Sequence, residues 1–272
     1  MILVDGERAE SIDARDRGLL YGDGLFETIR FVHGRAPLWE RHIARLAEGC
    51  DRLGLVCPNE LLLLRDCAAA MEQQAQAVVR ITITRGSGAR GYALPDNAVE
   101  RRIVAGFPAP EIPTDWYDAG IRVRFCVVRL AMQPQLAGIK HLNRLEQVLA
   151  RAEWDDPAIA EGLMFDSADH AVCATAANLF IVLDGALITP SLDQCGVAGV
   201  ARAEILAQRV DCRVATIDRA MLDRAEEIFL SSSVRGIVPV RATPERDYAV
   251  GVQTRALQAA WRERGLMPEC AA

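Results

Sequence analysis

Gly138-Ile139-Lys140-His141-Leu142-Asn143-Arg144-Leu145-Glu146 carries the only lysine of a 272-residue chain. Lysine and arginine together number 31, so the other 30 of these cations are arginines. A guanidinium stays protonated at any accessible pH. An ε-amine can lose its proton when desolvated and form a Schiff base. Lys140 follows the apolar run Leu136-Ala137-Gly138-Ile139 and precedes a helical pattern. It therefore reads as a candidate nucleophile rather than a stray surface charge.

Composition narrows the classes around that lysine. Hydrophobic content of 51% is ample for a core, and 272 residues suit one large or two medium domains. A net charge of −6 leaves no electrostatic footprint for nucleic acid or an anionic membrane. Cysteines 50, 57, 67, 126, 173, 195, 212 and 270 form no CxxC pair and no zinc spacing. They read as reduced core thiols of a cytoplasmic protein, and no metal site is expected. Met1-Ile2-Leu3-Val4 is too short for a signal h-region, and no apolar run approaches a membrane span.

Read in order, Ile2 to Val4 is a short strand, and the polar, glycine-bearing stretch from Asp13 to Gly24 is a loop. Leu25 to Val32 and the β-branched Ala77 to Thr84 are strands; Trp39 to Leu53 and Glu60 to about Gln76 are helices. Arg85-Gly86-Ser87-Gly88-Ala89-Arg90-Gly91-Tyr92 is a glycine-rich loop, followed by a strand at Ile103 to Phe107. Pro108, Pro110 and Pro113 mark a linker. Beyond it come a strand at 121–129, a helix from Asn143 to Trp154, and strands near 162–166, 171–175, 178–183 and 186–189. A glycine-punctuated turn then opens a helix to about Val210, strands lie at 212–217 and 227–230, and a closing helix spans Gly251 to Arg264. The expected fold is mixed, α/β or α+β. Residues 1–108 form an α/β domain, 109–119 the linker and 120–272 a second domain.

Three features suit a phosphate. Gly196-Val197-Ala198-Gly199-Val200-Ala201-Arg202 turns into a helix N-terminus, where free amides and the dipole favour an anion. Ser231-Ser232-Ser233 ends a strand with three hydroxyls, and Arg45 is a cation on an amphipathic helix. An amine plus phosphate-sized cradles suggests pyridoxal phosphate, whose aldehyde needs the one and whose phosphate needs the other. Gly86 to Gly91 does not follow the dinucleotide-binding register.

The chain resembles the class IV, fold-type IV pyridoxal-phosphate enzymes, which include branched-chain and D-amino-acid aminotransferases and 4-amino-4-deoxychorismate lyase. The resemblance rests on Tyr21-Gly22-Asp23-Gly24-Leu25-Phe26-Glu27-Thr28-Ile29-Arg30, His42-Ile43-Ala44-Arg45-Leu46, Gly138 to Glu146, Ala176-Ala177-Asn178-Leu179-Phe180 and Gly196 to Arg202. Two runs, Gly138 to Gln147 and Arg85 to Tyr92, look most like the lyase. The resemblance implies a two-domain fold, with a smaller N-terminal α/β domain and a larger strand-rich C-terminal domain that carries the cofactor. It implies that Lys140 bonds pyridoxal 5'-phosphate and that Arg45, the amides of Val200 and Ala201, and Ser232 or Ser233 hold its phosphate. Asn178 belongs to the same cofactor site. Arg90 would face the carboxylates of a dianionic substrate, with Arg30, Tyr21 or Tyr92. A homodimer is implied as well.

One position departs from the family pattern. The family has Glu five residues before the Asn of the Asn-Leu-Phe run, where a carboxylate keeps the pyridine nitrogen protonated; here it is Cys173. A neutral thiol stabilises a pyridinium less well. Glu161 and Asp166 lie upstream, on the preceding strand. Elimination tolerates a weak electron sink better than amino transfer does. The expected reaction is therefore the lyase one. Lys140 removes a proton from 4-amino-4-deoxychorismate and enolpyruvate is expelled by β-elimination, giving 4-aminobenzoate and pyruvate. The alternative is a branched-chain or D-amino-acid aminotransferase of the same fold.

Overall fold

Residues 1–268 are described by the structure, a computed structural model. Cys270 and the end of the expected second domain lie outside the described residues. In chain order the elements up to the prolines are β1 (Ile2–Val4), β2 (Glu7–Arg8), α1 (Arg17–Tyr21), β3 (Gly24–Val32), α2 (Trp39–Leu53), α3 (Glu60–Ala70), β4 (Gln76–Thr84) and β5 (Arg101–Pro108). They build an antiparallel sheet of order β2-β1-β5-β4-β3. Helix α2 presents His42, Leu46, Gly49 and Cys50 inward. These sit at i, i+4, i+7 and i+8, the spacing of one helical face.

Two features of this part differ from the sequence reading. Helix α1 lies inside the stretch read as loop. Asp16 caps it by accepting from the Gly18 amide at 2.8 Å, and Gly22 ends it in the left-handed conformation. Helix α3 stops at Ala70 rather than near Gln76, because Glu72 and Gln73 turn to positive φ and redirect the chain into β4.

The later elements are α4 (Asp115–Asp118), β6 (Ile121–Leu130), α5 (Leu145–Arg151), β7 (Ile159–Asp166), β8 (Ala171–Ala174), β9 (Asn178–Leu183), β10 (Ala186–Pro190), α6 (Val200–Gln208), β11 (Arg213–Ala215), α7 (Arg219–Arg224), β12 (Glu227–Ser232), β13 (Gly236–Ala242) and α8 (Val252–Glu263). The strands form a sheet of order β11-β10-β9-β12-β13-β6-β7-β8, and β8 also pairs with β9. That last pairing closes six strands into a ring through a single residue pair, Cys173 opposite Asn178. Strand β13 escapes a sequence reading because it contains Pro239, a residue that argues against an inner strand. Here Pro239 faces Phe229 of β12, and the ladder to β6 is irregular just beyond it.

The chain divides into two compact units: residues 1–110 with 139–143, and residues 111–138 with 144–272. The short segment that holds Lys140 thus belongs to the first unit, whereas the sequence reading places everything from residue 120 in the second domain. Among the described residues no helix is long and apolar enough to cross a membrane.

Candidate active site

Lys140 is held by main-chain hydrogen bonds to β3. The Phe26 amide donates to the Lys140 carbonyl at 2.9 Å, and the Leu142 amide donates to the Gly24 carbonyl at 3.0 Å. Leu25 and His141 form an antiparallel bridge, so residues 140–142 cover the open edge of the sheet. Asn143 adds a side-chain bond to the Gly22 carbonyl at 3.2 Å. Lys140 Nζ lies 4.2 Å from the centroid of the Phe26 ring, and the side chain is half-buried.

The same strand supplies a buried carboxylate. Glu27 accepts from His42 Nδ1 at 2.6 Å and from Arg45 Nε at 2.8 Å, and it also pairs with Arg45 Nη2. Burial alone would push Glu27 upward, but the Arg45 charge and the bonds from His42 and Arg45 outweigh it and hold the carboxyl at about 2. An ionised Glu27 only accepts, so His42 carries its proton on Nδ1. Burial keeps His42 neutral by lowering its pKa, against the raising effect of Glu27. Arg45, expected at a phosphate, thus has part of its fork fixed on Glu27. Of the expected substrate residues, Arg30 is buried on β3. Tyr21 and Tyr92 meet edge to face at 5.4 Å, and Tyr92 and Arg90 are exposed.

Residues expected at the cofactor also gather in the second unit. Helix α6 starts at Val200 with no side-chain cap and no acid in its first turn, which leaves its amides and dipole open to an anion. The loop before it is fixed by Asn178, whose Nδ2 donates to the Val197 carbonyl at 2.9 Å. A Cβ at Gly199 would stand 1.9 Å from Asn178 Oδ1, so only glycine allows that approach. Asn178 is opposite Ser231 in the β9–β12 ladder. The Ser231 hydroxyl is buried and has no hydrogen-bond partner. Ser232 Oγ accepts from the Arg235 amide at 3.1 Å and retains its own proton to donate. Uncapped amides at α6 and the orphaned Ser231 hydroxyl, opposite Asn178, are donors of the kind a phosphate ester takes, while Ser232, the next residue on β12, faces the other side of the sheet.

Cys173 is buried, and burial pushes its thiol up to about 12, so it stays neutral. It packs in a cluster with Cys126, Trp154, Met164 and Cys195. Along the chain Glu161 lies upstream of that position. In the structure β7 runs beside β8, and Glu161 accepts from the Gly162 amide, from the Thr175 hydroxyl and from Arg235 Nη2 at 2.9 Å. Glu161 therefore ties the β8–β9 turn to the β12–β13 turn. A sequence reading misses it because the linkage is between strands and leaves no spacing along the chain. Asp23 and Arg17 escape it too, since they lie in a stretch that looks like polar loop. Among the described residues no group of three or more His, Cys, Asp or Glu is arranged to hold a metal.

Residues 24–243 match the model of the amino-transferase class IV family. An aminodeoxychorismate lyase of Vibrio harveyi is 34% identical over 268 residues, covering 95% of this chain and 98% of that one. A putative branched-chain-amino-acid aminotransferase of Methanocaldococcus jannaschii is 28% identical, over 88% of this chain and 86% of its own. The crystal structure of 4-amino-4-deoxychorismate lyase from Pseudomonas aeruginosa superposes with a TM-score of 0.91 at 47% identity, covering 97% of this chain and 98% of that one. The chain belongs to the amino-transferase class IV family, whose enzymes depend on pyridoxal 5'-phosphate.

Proposed function

We propose that the chain is a lyase that converts 4-amino-4-deoxychorismate to 4-aminobenzoate and pyruvate. Lys140 is the residue that bonds the cofactor. The open amides of Val200 and Ala201, the hydroxyls of Ser232 and Ser233, and Arg45 hold the phosphate; Asn178 fixes the loop that presents those amides. When bound, pyridoxal phosphate supplies an electron sink for the charge left at a substrate carbon that loses its proton. The amine of Lys140, once released, takes the proton from substrate ring carbon 4 onto Nζ. Loss of that proton expels enolpyruvate from the neighbouring carbon and makes the ring aromatic. Lys140 Nζ then returns a proton to the methylene carbon of enolpyruvate, giving pyruvate. Arg90, with Arg30, Tyr21 and Tyr92, meets the carboxylates of the substrate.

The observation that carries elimination over amino transfer is the neutral, buried Cys173 in place of a carboxylate. Amino transfer would need the stronger electron sink, because its proton returns to the aldehyde-derived carbon of the cofactor instead of leaving with a departing group. Elimination drains the charge into the leaving group. The 47% identity to the Pseudomonas aeruginosa lyase supports the same reading. Seven described cysteines, all unpaired, suit a reducing cytoplasm, and we place the enzyme there as a homodimer. The test is incubation with 4-amino-4-deoxychorismate. The two products should appear one to one, and D- or L-amino acids with 2-oxoglutarate should exchange amino groups far more slowly. Exchange without 4-aminobenzoate would establish an aminotransferase instead.

A further inference from the structure

Arg17 is a cation buried at 4% exposure, outside every residue assigned above to cofactor or substrate. Its Nη1 donates to the carbonyls of Gly91 at 3.0 Å and Ala93 at 3.3 Å, and its Nη2 to the carbonyl of Tyr92 at 3.4 Å. Three successive carbonyls of the glycine-rich loop thus turn onto one guanidinium. Its Nε is anchored on Asp23 at 2.9 Å. Asp23 also takes Arg85 Nε at 2.8 Å and Nη2 at 3.1 Å, and Arg85 reaches the carbonyl of Leu53, which ends α2, at 2.7 Å and that of the capping Gly54 at 2.9 Å. One turn after Arg17 on α1, the Tyr21 hydroxyl accepts from the Gly91 amide at 3.3 Å, and its ring lies 4.9 Å from the Arg17 guanidinium carbon. Gly91 is therefore gripped on both its carbonyl and its amide. It has φ +106°, which a side chain rarely adopts.

We propose that Arg17, based on Asp23, is the positioning residue that holds the Arg90–Ala93 loop in the shape that presents Arg90 to a substrate carboxylate. This rests on the lyase reading and on Arg90 meeting the substrate. Arg90 is exposed and sits immediately before the gripped glycine, so its backbone direction is set by the clamp rather than by packing of its own side chain. A planar fork with five donors can serve three carbonyls and a carboxylate together. A lysine ammonium, with three donors at one point, can satisfy Asp23 but not span the loop.

The test uses the cofactor-loaded enzyme and the variants Arg17→Gln, Arg17→Lys and Arg90→Ala, with the exposed Arg15→Gln as control. Two quantities are read: the rate of trypsin cleavage after Arg90, followed by mass spectrometry, and the kinetic constants for 4-amino-4-deoxychorismate. Arg17→Gln should speed cleavage and raise KM, each about tenfold, with kcat within about twofold and an unchanged cofactor spectrum, as expected for loss of one charged anchor. Arg17→Lys folds more safely, since it keeps a cation beside Asp23, and should show the same pattern more weakly. Arg15→Gln should change neither quantity. Unchanged cleavage in Arg17→Lys and Arg17→Gln overturns the clamp. Faster cleavage with normal KM, while Arg90→Ala raises KM, overturns its link to substrate. Normal KM in both Arg17→Gln and Arg90→Ala removes Arg90 from the substrate site, and the proposal falls with that reading.

Discussion

The first unit organises its candidate residues with buried charge; in the second the expected cofactor residues carry no charge themselves, and the buried Glu161 with Arg235 ties the turns beside them. In the first, Asp23 and Glu27 each hold two basic side chains: Arg17 and Arg85 on one, His42 and Arg45 on the other. In the second, the proposed cradle draws on helix amides, serine hydroxyls and an asparagine amide, and position 173 is a neutral thiol. Ion pairs in low dielectric fix direction strongly, but each partner becomes costly to remove. Amides and hydroxyls bind an anion at less cost, and their donors do not titrate near neutrality. The first unit should therefore respond to pH and to charge deletion. The second should respond to the loss of single hydrogen bonds.

The largest effect belongs to Lys140. Lys140→Arg keeps the charge and most of the volume but loses the amine, so turnover should fall to background and the lysine-dependent absorbance of bound cofactor should vanish. Substantial lyase activity in that variant would remove Lys140 from the chemistry. Glu27→Gln comes next. It leaves Arg45 and His42 beside a neutral amide in a buried place, and should cost roughly 3–5 kcal/mol of unfolding free energy, measured by urea titration. Loss under about 1 kcal/mol would mean the pair is solvated.

Acid should act through the same carboxylates. Glu27 and Asp23 are both lowered in the folded protein, Asp23 because the bonds and charges of Arg85 and Arg17 outweigh its burial. A depressed carboxyl contributes stability above its unfolded pKa of ~4 and loses it as pH falls through the folded value. His42, lowered by burial, has the same sign, because below pH ~6.5 the unfolded state gains a proton that the folded state refuses. Melting temperature should thus drop as pH falls from ~6.5, more steeply below ~4. Glu27→Gln should flatten the acid limb, and an unchanged slope would contradict the assignment.

The smallest effect tests the second unit. Asn178→Ala frees the Val197 carbonyl and loosens the loop before α6. Cofactor affinity should weaken about tenfold, the worth of one to two hydrogen bonds, with little dependence on pH between about 6 and 9. A strong pH dependence would mean that a charged group, rather than the asparagine amide, sets the cradle.

Much of the site is legible in the sequence because its residue types are chemically restrictive. One lysine among arginines, a glycine turn into a helix and a serine triplet are visible without coordinates. Strands β3 and β4 are equally clear from β-branched alternation. What escapes is held across the sheet or hidden by local exceptions. Helix α1 sits among glycines, and β13 carries Pro239. Glu161 meets Thr175 only because β7 and β8 lie side by side. The placement of Lys140 on the edge of β3 depends on two main-chain hydrogen bonds that no spacing reports.

On the proposed function this enzyme eliminates rather than transfers an amino group, and the neutral residue at position 173 favours that outcome. The most direct measurement is the ratio of 4-aminobenzoate formation to 2-oxoglutarate-dependent amino transfer in the purified enzyme and in Cys173→Glu. The wild type should show elimination with barely detectable transfer. A soluble Cys173→Glu variant should gain transfer and change little in elimination, while an insoluble one would reflect a carboxylate buried in the surrounding apolar cluster. Amino transfer in the wild type as fast as elimination would contradict the account.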